Sequence, residues 1–158
     1  MIEYTNRYGD VFTFELNERG NIDWKSKKGN FGFHRFGSEP DNFDDTKKSL
    51  EANKIVTNSM RDQSICDALL AEKPGNITFE INQKNLTAGL SVSDKESLMA
   101  MHAAFKYFKI ILEPGGAVAL AAAITSKIDV REKNVLVIAS GGNVDKDVFE
   151  QCFKIDTI

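Results

Sequence analysis

The sequence predicts an α/β fold, a short and mostly parallel sheet with helices, preceded by a small amino-terminal antiparallel β meander. Three observations predict it. Eight of the fifteen aromatic residues, Tyr4, Tyr8, Phe12, Phe14, Trp24, Phe31, Phe33 and Phe36, fall before residue 38, among β-forming residues broken by polar turns. After Gly37, helical and strand patterns alternate, as they do in chains that build parallel sheets. Residues 134–139 (NVLVIA) form an almost unbroken apolar run, the pattern of a strand covered on both faces.

The elements follow in order. Residues 11–16 (VFTFEL) partly alternate and read as a strand, closed by the polar turn Asn17-Glu18-Arg19-Gly20-Asn21. Ile22 and Trp24 continue a second strand, and Phe31 and Phe33 suggest a third. A meander this small cannot bury a core alone. Residues 44–53 fit a short helix with an acidic first turn, and residues 64–72 a second, stopped by Pro74-Gly75. Residues 77–86 fit no single period. Residues 89–93 (GLSVS) read as a strand. A helix then runs from Asp94 to about Leu112. Ser93 and Glu96 match the capping box, and Leu98, Met101, Phe105, Phe108 and Leu112 make one apolar face. Pro114-Gly115-Gly116 ends it. Residues 117–126 are alanine-rich and apolar nearly all round, which predicts a buried helix. Ser140-Gly141-Gly142-Asn143 follows the 134–139 run and opens onto a short helix.

Bulk properties set the limits. A chain of 158 residues suits one domain with a small appendage. A net charge of −3 argues against a nucleic-acid partner bound by phosphate neutralisation. No apolar run approaches the roughly 20 residues that span a bilayer, and the start lacks the pattern of a secretory signal, so no membrane association is expected. Cys66 and Cys152 are far apart and form no CxxC, which fits free thiols in a reducing cytoplasm.

Chemistry could sit in three places. Ser140-Gly141-Gly142-Asn143 lies at the carboxyl end of a strand, where open α/β sheets bind ligands. Its glycines admit a close backbone approach, and a tight strand-to-helix turn explains it equally well. Glu113-Pro114-Gly115-Gly116-Ala117 precedes a helix amino terminus, which attracts anions; it also reads as a plain helix connection. Glu39-Pro40-Asp41-Asn42-Phe43-Asp44-Asp45 offers oxygen donors suited to magnesium or calcium, or simply begins a helix with acidic residues. His34 and His102 have no partner at zinc spacing. Lys25, Lys27 and Lys28 read as a solvated turn.

In this order the motifs resemble one family. Glu39 to Thr46, Ser64-Ile65-Cys66-Asp67-Ala68-Leu69, Val92-Ser93-Asp94, Glu113 to Ala117 and Ser140 to Asp145 are similar to the carboxyl-terminal part of the catalytic domain of pyridoxal-phosphate-dependent threonine and serine dehydratases, with serine racemase close by. The resemblance covers residues 38–147. It implies part of the three-layer sheet of the large domain of fold type II. It implies pyridoxal phosphate as cofactor, with Ser140 bonded to the pyridine nitrogen and Gly141 and Glu113 beside the ring. It implies a magnesium or calcium ion held by Glu39, the Phe43 carbonyl and Asp45. The implied reaction is β-elimination of a hydroxy amino acid to a 2-oxo acid and ammonia.

Other parts of the family pattern are not matched. The family's cofactor lysine lies in a Ser-x-Lys-x-Arg-Gly context, and Lys25 and Lys47 have other neighbours. The only glycine pairs are Gly115-Gly116 and Gly141-Gly142, so the tetraglycine phosphate loop has no counterpart. The expectation is a partial dehydratase domain at 38–158 behind a β-rich segment of other origin at 1–37, inactive alone, without a Schiff-base lysine. Its partner would be a complementing chain, or a second copy through self-association. A non-catalytic interaction module and a chimeric reading frame are the other readings.

Overall fold

A computed structural model describes residues 2–5, 11–16, 22–26, 34–59 and 63–155. The chain divides into two compact units, residues 1–34 and 35–158. The first holds β1 (Ile2–Thr5), β2 (Val11–Leu16) and β3 (Ile22–Ser26), antiparallel in that order. Phe14 stands opposite Ile2 on one side and Trp24 on the other. The strand expected around Phe31 and Phe33 lies outside the described residues.

The second unit is α/β. β4 (Phe36–Pro40) and β5 (Ala88–Val92) pair in parallel, Phe36 with Ala88 through Pro40 with Val92. Parallel neighbours need a crossover, and it contains α1 (Asp45–Ala52), a 3-10 turn at Asp67–Leu69 and α2 (Asn76–Asn85). Asn53 closes α1 in the left-handed conformation, at φ 53°, which asparagine tolerates better than most residues. α1 lies directly on β5. A Cβ on Gly89 would stand 2.4 Å from the Lys47 Cα, so only glycine permits this approach.

Sequence and structure part at three of the expected elements. The helix expected over 64–72 shrinks to the single 3-10 turn. Ahead of it, Ser64 Oγ donates to the Asp94 carboxylate at 2.5 Å and the Ile65 N–H does so at 3.1 Å; these bonds compete with a helix at the entry. The helix expected to reach Leu112 is α3 (Asp94–Ala103) followed by a π-helical turn, Ala104–Phe108. Lys109 then ends it at φ 60°, its N–H bonded to the Phe105 carbonyl. The capping box at Ser93 and Glu96 forms with both of its bonds.

The third difference concerns residues 134–139. They carry no regular secondary structure, and no described strand pairs with them. Leu136 is 85 % and Ile138 72 % exposed. An apolar strand is buried only if neighbours cover both faces, and among the described residues none does. Tyr107, Phe108 and Ile111 are exposed as well. Apolar surface on this scale favours association. The protein is expected to self-associate in light scattering, and Leu136→Lys with Ile138→Lys to lower the apparent mass. An unchanged mass would place the association elsewhere.

The core lies between α3 and α4 (Pro114–Ile124). Ala100, Met101 and Ala104 meet Ala117, Val118, Ala121 and Ala122, with Val92, Cys66, Leu112 and Cys152 around them. The alanine face of α4 brings the two backbones close, and its burial meets the sequence expectation. α5 (Lys146–Gln151) docks by edge-to-face contacts of Phe149 and the following Phe153 with Phe105. His102 Nδ1 lies 3.0 Å from the Cys152 carbonyl. Both cysteines are free and buried, and burial raises both thiol pKa values. No described helix is long and apolar enough to cross a membrane.

Candidate functional site

Two of the sequence-predicted glycine turns meet. The Glu113 N–H donates to the Gly141 carbonyl at 3.0 Å. The Glu113 carboxylate accepts the Asn143 N–H at 3.1 Å. Glycine makes this contact possible. A Cβ on Gly116 would lie 2.4 Å from the Gly141 oxygen, and one on Gly142 2.6 Å from the Ile111 oxygen. The sequence offered these glycines either for a ligand or for tight connections. In the structure Gly116 and Gly142 serve the contact between two backbones.

This junction presents Ser140 on an exposed turn. Its hydroxyl is a neutral group that can donate or accept, and Gly141 and Gly142 bring no side chain beside it. That set fits one edge of a planar heteroaromatic ring. A separate cavity of about 290 Å³, lined by residues that include Met99, Tyr107, Phe108, Leu120 and Ile124, lies between α3 and α4. None of its lining residues belongs to the two turns.

The acidic turn is the second predicted locus. Glu39, at the end of β4, points both carboxylate oxygens at the start of α1 and accepts the Thr46 and Lys47 N–H groups at 3.1 and 3.0 Å. Those amides have no intrahelical partner. Asp45 is 3 % exposed and accepts from the Asn58 amide at 3.0 Å. Asp44 pairs with Lys48 at 2.6 Å and with Lys47 at 3.6 Å. Lys47 also reaches Ser91 Oγ, and Lys48 the Asn58 oxygen. Phe43 is buried beneath the turn. Among the described residues, no three or more His, Cys, Asp or Glu side chains form a metal cluster. Of the ligands that the resemblance implied, the Glu39 and Asp45 carboxylates are both engaged by amides.

Burial pushes the Glu39 and Asp45 carboxyls above their ordinary values, with repulsion from Asp45 and Asp44 respectively adding to the rise. Hydrogen bonds oppose the shift without cancelling it. The folded protein therefore holds these protons more tightly than the unfolded chain. Stability is greatest below the ordinary carboxyl values and falls as pH climbs through the raised ones. Asp45→Asn removes the charge and keeps an oxygen for Asn58. It is expected to raise the Tm at about pH 7 and to have little effect near pH 4. A lower Tm at neutral pH would show that the charge itself is needed.

Comparison with known proteins gives this geometry a context. Residues 24–141 match the family model described as pyridoxal-phosphate dependent enzyme. The match begins ahead of residue 38, inside the segment that the sequence reading set apart. An L-threo-3-hydroxyaspartate ammonia-lyase of Saccharomyces cerevisiae is 34 % identical over 110 residues, covering 70 % of this chain and 33 % of that protein. The crystal structure of a serine racemase from Dictyostelium discoideum superposes with a TM-score of 0.63 at 35 % identity, over 72 % of this chain and 36 % of that one. The crystal structure of a T.th. threonine deaminase gives 0.64 at 32 %, over 70 % and 40 %. The chain thus spans about a third of the length of the curated relatives it matches. With the junction of its two glycine turns and its α/β architecture, the chain belongs to the family of pyridoxal-phosphate-dependent enzymes of fold type II.

Proposed function

We propose that the chain supplies one side of the cofactor pocket of a threonine or serine dehydratase. The observation that carries this is the junction of Glu113 with Gly141 and Asn143, which presents the Ser140 hydroxyl. Bound pyridoxal phosphate would supply an electron sink for β-elimination of a hydroxy amino acid. Ser140 would contact the pyridine nitrogen through a neutral hydroxyl, which does not force that nitrogen to stay protonated. Gly141 would leave room for the ring. In this reading the residues ahead of the family match, 1–23, are an appended segment, and the protein works in the cytoplasm.

The lysine and the phosphate loop would come from a complementing chain. Alone, the protein is then inactive. Mixing it with pyridoxal phosphate and threonine is expected to give neither a saturable lysine-linked absorbance nor 2-oxobutanoate. Adding a polypeptide that carries the Ser-x-Lys-x-Arg-Gly segment is expected to restore both. A saturable lysine adduct on this chain alone would overturn the proposal and reveal a relocated lysine.

The acidic turn supports a second element. Glu39, the Phe43 carbonyl and Asp45 are hard oxygen donors of the kind magnesium and calcium take, and a bound ion would offset the repulsion that Asp45 exerts on Glu39. Calcium is then expected to raise the Tm saturably at neutral pH, and Asp45→Asn to abolish the rise. No response in the unsubstituted protein would rule the ion out.

A further inference from the structure

We infer that Glu113 is a positioning residue whose carboxylate holds the Ser140–Asn143 turn and moves no proton. The inference rests on the proposed reading only for what Ser140 contacts; the tie itself is independent of any cofactor.

Glu113 stands at the amino-terminal cap of α4 with extended backbone, φ −75° and ψ 160°. A short polar side chain there, such as Asp or Ser, ordinarily accepts from the free amides of its own helix. Glu113 makes no such bond. Its carboxylate leaves α4 and accepts the Asn143 N–H. One of its oxygens lies only 2.3 Å from where a Cβ on residue 141 would stand, so the carboxylate occupies the space that glycine leaves open. Its backbone N–H adds the bond to the Gly141 carbonyl.

These ties matter because no described strand pairing fixes the turn from the residues before it. Residues 134–139 pair with no described strand, and Leu136 and Ile138 are exposed. A strand would normally deliver Ser140 to its place. Here the turn is held by contacts to residues 111–116. A carboxylate engaged on a backbone amide and packed against a glycine Cα is poorly placed for proton transfer and well placed to hold that backbone still. The group required is an oxygen acceptor at that reach, not a charge.

The test is amide hydrogen exchange of the cofactor-free protein, read residue by residue. Glu113→Ala is expected to speed exchange at Asn143 at least about tenfold, while amides within α3 stay protected. Glu113→Gln keeps an oxygen acceptor of the same length and is expected to restore protection to within about threefold of the unsubstituted protein. Glu113→Asp, one methylene shorter, is expected to behave like the alanine variant, and it serves if Glu113→Ala does not fold. Unchanged exchange at Asn143 in both shortened variants would overturn the inference. So would Glu113→Gln exchanging as fast as Glu113→Ala, because that would make the charge the essential feature. Since no cofactor is present in this test, failure of the complemented protein to bind pyridoxal phosphate would sink the functional proposal and leave this result standing.

Discussion

Gly89→Ala is expected to destabilise the protein by about 3 kcal/mol, the upper part of the range for overpacking a rigid interior. The added Cβ would stand 2.4 Å from the Lys47 Cα, 2.5 Å from its Cβ and 3.0 Å from its backbone nitrogen. All three atoms lie close to the α1 backbone, so no terminal side-chain movement relieves the clash. α1 must retreat from β5. That retreat pulls the Thr46 and Lys47 amides from Glu39 and the Lys47 ammonium from Ser91. A chain of this size loses about 2–4 °C of Tm per kcal/mol, so thermal melting resolves the effect. A loss below about 0.5 kcal/mol, the size of an ordinary surface substitution, would mean that α1 does not rest on β5.

Gly116→Ala opposes two effects of known size. In a free helix, alanine is favoured over glycine by about 1 kcal/mol. Here its Cβ would meet the Gly141 oxygen at 2.4 Å and the Gly141 nitrogen at 2.8 Å. Overpacking at so short a distance costs about 2–3 kcal/mol, the upper part of the usual range, so the clash wins and a net loss of about 1–2 kcal/mol is expected. The larger consequence is local. α4 is buried and fixed by the core, whereas residues 140–143 are mostly exposed, so the turn moves and the helix does not. Ser140 leaves its position, and exchange of the turn amides rises while α4 stays protected. A stabilised variant with an undisturbed turn would remove the junction on which the proposed pocket depends.

Local chemistry made part of this protein legible in the sequence. The Ser93–Glu96 capping box needs only residues three apart, and it forms as read. The apolar alanine-rich segment could only be buried, and α4 is. The glycine turns at Glu113 and Ser140 and the acidic turn at Glu39 were identifiable as motifs because their residue types and order are distinctive.

Long-range contacts decided the rest. Residues 77–86 fitted no single period, yet Asn76–Asn85 is helical, and Phe79 is the only side chain of that helix that is buried. A helix with so small a buried face leaves little periodicity to read. The strand β4 escaped the pattern because Phe36–Pro40 gains its structure by pairing with β5, fifty-two positions away at the register Phe36↔Ala88. The 134–139 run shows the reverse: its composition is that of a covered strand, but a strand exists only where a neighbour takes its hydrogen bonds. The sequence by itself determined which segments would be apolar, capped or turning. Only the tertiary structure decided which of them met, because the bond of Glu113 to Asn143 and the gap that Gly116 leaves for Gly141 depend on distances between segments that no local pattern encodes.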